Sequence, residues 1–483
     1  MASVLPRRRG GIRAACDRCY ELKERCERAS TTSACVRCNR LSQICRTVRP
    51  LRTPGRRARH REPSASASQT ISSRSSTEAS SQSQDENGAW LQDVPDLVLE
   101  ERELMMFLLY RRQTLQFNVV SPSFEDAARR SFEAPLLAAL PVLKDAYLAY
   151  AGGLKASFHA DNDTPTVADE DANLSLHHAS SALETLRTLP VGSSEDAALC
   201  LTLGMVLALY IYSAVGVGAP DICHYCLGVA SPYIEDSTIS FETEPQLIFM
   251  VLLETMDCAV HRHKPTLRLR VQSPAASERV GVDRHLGLCV PLLPYYYDLC
   301  VISHFLIDGK NASLVAILHR HLRRIQAAVN TWQPCPPEGF VHEFSSVEVV
   351  HLLAQARVYR LAALLMAHRL QHHFGHENAD AQADIWSREI MMELEMARRV
   401  TQQPIRFVTL PFIVAAIEIR DPVARIKADE NVDEYVDRFM PVVQEATRTF
   451  LSRIWRERDV GAISSWFDSV HKPCVTLDAL GDV

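Results

Sequence analysis

CDRCYELKERCERASTTSACVRCNRLSQIC, residues 16–45, holds six of the fourteen cysteines in the 483-residue chain. They fall at Cys16, Cys19, Cys26, Cys35, Cys38 and Cys45, which is one unit, C-x2-C-x6-C, written twice. A C-x2-C turn lets two thiolates converge on one cation, and a third thiol after a short helix can close the site. Six thiolates give two tetrahedral zinc ions four ligands each only if two of them bridge. The spacing therefore predicts one binuclear cluster, two Zn2+ held by all six thiols. Every coordination position is then thiolate, so such zinc is structural and leaves no open position for water. The competing readings are a disulfide knot and unrelated buried cysteines. Paired C-x2-C units and the lack of a secretion signal weigh against both.

Working outward, charge is divided unevenly. Residues 1–61 carry 17 Lys and Arg against 4 Asp and Glu, whereas the rest of the chain carries 35 against 54. A polycationic head on an acidic body suits a polyanion, double-stranded DNA first and an anionic membrane second. The opening MASVLPRRRGG has no apolar segment, so it does not read as a secretory signal. Arg7, Arg8, Arg9, Arg56, Arg57, Arg59 and Arg61 suit nuclear import or phosphate contact, as do Arg13, Arg46, Arg49 and Arg52. The eight remaining cysteines are scattered, as expected for reduced thiols in the cytosol or nucleus.

Residues 62–87 form a Ser-rich tract with too few apolar residues to offset the entropy of ordering, so a disordered linker is expected. Residues 46–90 show no repeating a/d pattern, hence no coiled coil. From 88 to 483 the apolar spacing turns helical. Helices are expected near 97–117, 124–151, 175–188, 194–215, 222–232, 244–261, 294–307, 311–332, 346–373, 383–402, 408–418 and 431–457. Breaks are expected near 157–173, 262–283 and 333–345. The stretch 197–219 is uncharged over a membrane-spanning length but lacks flanking basic clusters, so it reads as a buried central helix and no membrane partner is expected.

The cysteine stretch resembles the fungal Zn2Cys6 binuclear cluster family of transcription regulators. The residues that carry the likeness are Cys16-Asp17-Arg18-Cys19, Lys23, and Cys35-Val36-Arg37-Cys38-Asn39-Arg40-Leu41. By that resemblance Cys16 and Cys35 are the bridging pair, and Lys23 reads guanines of a CGG-type site from a short helix in the major groove. Arg25 lies beside it, and Arg37, Arg40 and Arg46 grip the DNA backbone. Glu21, Glu24 and Glu27 stand where they oppose phosphate, which lowers the expected affinity. Ser33 replaces a proline that such proteins often carry.

The body is similar to the fungal-specific transcription factor domain attached to many such regulators. The likeness rests on Thr331-Trp332-Gln333-Pro334, on residues 355–365 and 368–370, on Phe374-Gly375, and on residues 410–418. It implies an all-helical regulatory domain without catalysis.

No G-x-S-x-G, H-E-x-x-H or Walker A sequence is present, and Gly216-x-Gly218 lacks the third glycine of a dinucleotide fingerprint. Cys223-His224-Tyr225-Cys226 supplies too few ligands for a metal in a helix. His368 and His372 share a helix face, yet histidines near a helix C-terminus are favoured by the dipole, and Gly375 reads as the cap.

The expected architecture is a small zinc-stabilised binuclear cluster domain with two short helices (1–61, cluster 16–45), joined by a disordered linker (62–87) to a large all-α regulatory domain (88–483). The expected function is a nuclear, sequence-specific regulator of RNA polymerase II genes. Its partners would be DNA, the transcription machinery or co-regulators, and a second copy as a homodimer. Control of a biosynthetic gene cluster is carried by the resemblance alone. The alternative is a zinc-stabilised protein-interaction module with non-specific nucleic-acid binding.

Overall fold

The computed structural model describes Cys16, Cys19, Cys26, residues 34–40 and Cys45 in the head. Beyond it the structure describes 89–92, 97–111, 114, 116, 118–160, 165–216, 218–235, 244–270, 281–307, 311–437, 440–465 and 467. The chain divides into two compact units, Met1–Arg74 and Ser75–Val483. In the first, α1 (Val36–Arg40) follows Cys35 directly. The first of the two expected short helices falls outside the described residues, Cys19 excepted.

Among its described residues the second unit is built of helices joined by loops, with a single β bridge between Asp283 and Gly287. It begins with α2 (Ala89–Gln92) and α3 (Leu99–Tyr110). The helix expected over 124–151 is two helices, α4 (Glu125–Ala138) and α5 (Leu140–Ala160). Ala139, at φ −139° and ψ 43°, separates them. Pro141 explains the interruption, because it offers no N–H to the preceding turn but fits the first turn of a new helix.

The break expected at 157–173 is a correction of the opposite kind. α5 runs on to Ala160 and α6 begins at Pro165, ending at Thr188. Thr164-Pro165 is the reason, because a polar residue before proline at the first helical position is a start signal. These two long helices pack along each other.

α7 (Ser194–Tyr210) opens with a reciprocal cap. The Asp196 amide donates to Ser193 Oγ at 3.1 Å, and the Ser193 amide donates to Asp196 Oδ2 at 3.0 Å. Most of its side chains are buried, including Cys200, Leu203, Val206 and Leu209, so the helix is apolar all round because it is enclosed all round. It widens into a π turn at Ile211–Val215, closed by Gly216 at φ 81°. The segment Ser194–Val215 has a mean hydropathy of 2.1 over its most apolar window, and 78% of that window lies inside the fold. Gly204 lets α8 (Ala219–Glu235) approach to backbone contact, since a Cβ there would sit 2.3 Å from Cys226 Sγ.

α9 (Gln246–His261) packs on both, α10 (Leu293–Phe305) packs on α9, and α11 (Ala312–Thr331) packs on α10, followed by the short α12 (Phe340–Glu343). Then come α13 (Ser346–Arg369), α14 (Glu377–Thr401) and α15 (Thr409–Glu418). The helix expected over 431–457 is interrupted. α16 (Pro422–Glu430) and α17 (Val432–Tyr435) precede α18 (Pro441–Asp459), whose first residue is again a proline. α13 stops at Arg369, short of the expected 373, and the Phe374 amide bonds Ser464 O at 2.6 Å instead. Gly375, at φ 94°, therefore belongs to the turn before α14 and does not cap α13.

Two buried polar clasps hold α13. At its C-terminal end the fully buried Arg369 makes two bonds to Glu418, at 2.8 and 2.6 Å, and one to Asp380 at 2.8 Å. It also lies over the Phe374 ring at 4.7 Å. Removing one partner of such a cluster leaves a buried charge unmet. Arg369→Met should cost about 3–5 kcal/mol in urea unfolding, and Arg369→Met with Glu418→Leu should cost less than the single change.

At the N-terminal end Glu348 accepts from the amides of Ser345 and Ser123, each at 2.8 Å, and from the Ser121 hydroxyl. Burial alone would raise its pKa, but these bonds bring the carboxyl down to about 2. A depressed carboxylate stabilises the fold above its unfolded pKa of about 4.3, and that contribution is lost as pH falls towards 2. Glu348→Gln should therefore lower the urea midpoint at neutral pH, and its gap from the parent should narrow steadily below pH 4. A gap that is constant with pH would contradict this.

Candidate metal centre

In the head, the six cysteines that lie far apart in sequence converge. Cys16 Sγ stands 3.8 Å from Cys35 Sγ and 3.7 Å from Cys38 Sγ, and Cys19 Sγ stands 3.7 Å from Cys35 Sγ. Two sets of four result, Cys16, Cys19, Cys26, Cys35 and Cys16, Cys35, Cys38, Cys45, each with all its sulfurs within 4.8 Å of one another. Cys16 and Cys35 belong to both. Zinc–thiolate bonds of about 2.3 Å in a tetrahedron place neighbouring sulfurs about 3.8 Å apart. The described sulfurs fit that edge length and not the roughly 2.05 Å of a disulfide. All six are free thiols, which removes the disulfide knot.

The backbone repeats along with the sequence. Cys16 N–H donates to Cys26 Sγ and Cys35 N–H to Cys45 Sγ, both at 3.3 Å. Cys19 N–H donates to Cys16 Sγ and Cys38 N–H to Cys35 Sγ, both at 3.4 Å. These four donors, invisible as side chains, are functional groups that the sequence reading missed; the repeated C-x2-C turn was their only trace. In the second half α1 carries Cys38 inward and buried, while Arg40 is exposed and Arg37 half-buried beside it.

Electrostatics separates the thiols. Burial raises Cys16, but the Cys19 amide and neighbouring thiols donate to it and bring it down to about 6. The Cys38 amide lowers Cys35 likewise. Cys19 and Cys26 are raised, by burial first, and Cys38 is pushed up to about 12, first by its bond to Cys35. The two thiols that take negative charge most readily are thus the two shared by both sets, where a bridging ligand would sit.

Lys23, Arg25 and Arg46, with the import and phosphate residues Arg7, Arg8, Arg9, Arg56, Arg57, Arg59 and Arg61, lie outside the described residues. Among the described residues, no other gathering of cysteine, histidine and carboxylate brings three ligand atoms so close. Cys223 and Cys226 are buried in α8, while His224 is exposed and bonds Thr266 Oγ1 at 2.6 Å. His368 Nε2 donates to Ala379 O at 2.9 Å, and its ring meets Trp386 edge-on.

Residues 109–477 match the family model of the fungal specific transcription factor domain. That match spans most of the chain, and the chain belongs to this family. It is a transcription regulator, from a family that is generally non-enzymatic. The match does not reach the cysteine head. No curated protein and no solved structure matches the chain.

Proposed function

We propose that the protein is a nuclear regulator that reads DNA through a binuclear zinc cluster in residues 16–45. The observation that carries this is the pair of four-thiol sets with Cys16 and Cys35 in common. Two structural Zn2+ account for it, with those two thiolates as bridges. Residues 1–61 would form the DNA-binding head with its basic arms, 62–87 the tether, and 88–483 the regulatory body. Lys23 would donate to O6 and N7 of guanine in a CGG-type site, supported by Arg25. Arg37, Arg40 and Arg46 would hold phosphate, and the flanking arginines would add phosphate contacts and nuclear import. Genes transcribed by RNA polymerase II, those of a biosynthetic cluster among them, would be the targets. A homodimer would have to form through the body, because residues 46–90 lack heptads.

Metal analysis of the full chain should give two zinc ions, and Cys16→Ser or Cys35→Ser should lose both together. Cys26→Ser should spare one ion more often than either. One zinc in the parent, or two in the Cys35→Ser protein, contradicts the bridge.

Specificity is tested separately. Lys23→Ala should weaken binding to a CGG-containing duplex by about 1–3 kcal/mol and leave unrelated DNA nearly unaffected. Changing Arg56, Arg57 and Arg59 together should weaken both alike and flatten the salt dependence. Equal loss on both duplexes in the Lys23→Ala protein would favour the interaction-module reading.

A further inference from the structure

A groove of about 800 Å³ runs between α14 and α16, within the size range of ligand and peptide sites. Its small side chains, Ala381, Ala424 and Ala428, leave depth for large partner side chains. Ile385, Met392 and Met396 recur along the side of α14 next to the lining face, and Val423 stands at the start of α16, each between 45% and 73% exposed. On α14 the lining residues Ala381, Asp384, Arg388, Met391 and Glu395 recur every three or four positions, as a single helix face requires.

Charge gives the groove a direction. Its three cations are each met from within, Arg388 by Asp384, Arg420 by Asp380 at 2.6 Å and Lys427 by Glu395 at 3.9 Å. Glu377 and Asp421 also line it and have no ion-pair partner among the described residues. Both stand at the end where α14 and α16 begin. Asp421 Oδ2 accepts the Ala424 amide at 2.8 Å and caps α16, so that end combines two carboxylates that have no cation beside them among the described residues with two helix N-termini, whose dipoles favour a C-terminus opposite.

We propose that this groove docks an amphipathic helix of a partner protein, lying antiparallel to α14. Large apolar side chains at i, i+3 or i+4, and i+7 enter the groove, and Lys or Arg in its last turn meets Glu377 and Asp421. From Ala381 to Glu395 the groove offers about 21 Å, roughly four helical turns. The partner is called a co-regulator only on the strength of the regulatory reading above. The docking itself uses the second unit alone and stands whether or not the head reads CGG.

The test is selection of a phage-displayed library of single helices, with random apolar and charged positions, on the full-length chain. Enriched helices should carry the apolar spacing and a basic last turn. A synthetic copy of the most enriched helix should bind at least tenfold more weakly to Ala381→Trp, which fills the groove, and to the Glu377→Lys, Asp421→Lys double variant. Glu430→Lys, an exposed acid beyond the groove, should leave binding unchanged. Circular dichroism and DNA binding should match the parent in every variant. No enrichment, or binding indifferent to Ala381→Trp, overturns the proposal. So would self-association of the full chain in sedimentation velocity that Ala381→Trp abolishes, since the occupant would then be a second copy.

Discussion

Six sulfurs crowded into two sets of four, each set within 4.8 Å, are the constraint on which the head depends. Among its described residues, the buried side chains are cysteines alone. Among those described residues no apolar core surrounds them, so burial there supplies little folding free energy. As thiols the six offer each other weak hydrogen bonds. Burial drives Cys19 up and the bond to Cys35 drives Cys38 up, while the amides of Cys19 and Cys38 and neighbouring thiols bring Cys16 and Cys35 down. On the reading proposed above, cations would reconcile the crowding with the charge, and such a head would fold as it binds them.

The body solves the same problem by burial, with charge used sparingly. α13 illustrates the division. Glu348 pins its first turn to residues 121–123, and Arg369 pins its last residue to α14 and α15. Between them Gln355 donates to His285 O and Tyr359 donates to Phe407 O at 3.0 Å, while Tyr296 donates to Tyr359 O at 2.7 Å. The intervening leucines and alanines, Leu353 excepted, are buried. Polar groups thus fix where α13 lies and apolar contacts supply most of the free energy that keeps it there.

What could be read in advance follows from this physics. The cysteine repeat was legible because ligand spacing is local. α7 was legible as a buried helix because its lack of charge has few other uses in such a setting. Helix ends were less so. Pro141 and Pro441 each begin a helix, although each falls inside a continuous apolar pattern, and Pro165 begins one inside what read as a loop. The end of α13 depends on Phe374 bonding Ser464, ninety residues away in sequence, which no local pattern encodes. The amide donors to sulfur and the pairing of Arg369 with Glu418 were hidden for the same reason: they are matters of tertiary distance.

Asp380 and its surroundings show how completely charge is settled inside the body and how abruptly that changes at its surface. Arg369, Arg420 and the Gly375 amide all reach the Asp380 carboxylate, which is held below the usual range despite its burial. On the same groove, Glu377 and Asp421 have no cation beside them among the described residues, although Asp421 caps α16 through the Ala424 amide, and Ile385, Met392 and Met396 stand exposed beside it on α14. Asp421 serves its own helix as a cap, but the exposed apolar side chains beside the groove contribute nothing to the fold. Their cost is offset only by something that covers them, and a helix with one apolar face and a basic end has the shape and the charge to do so.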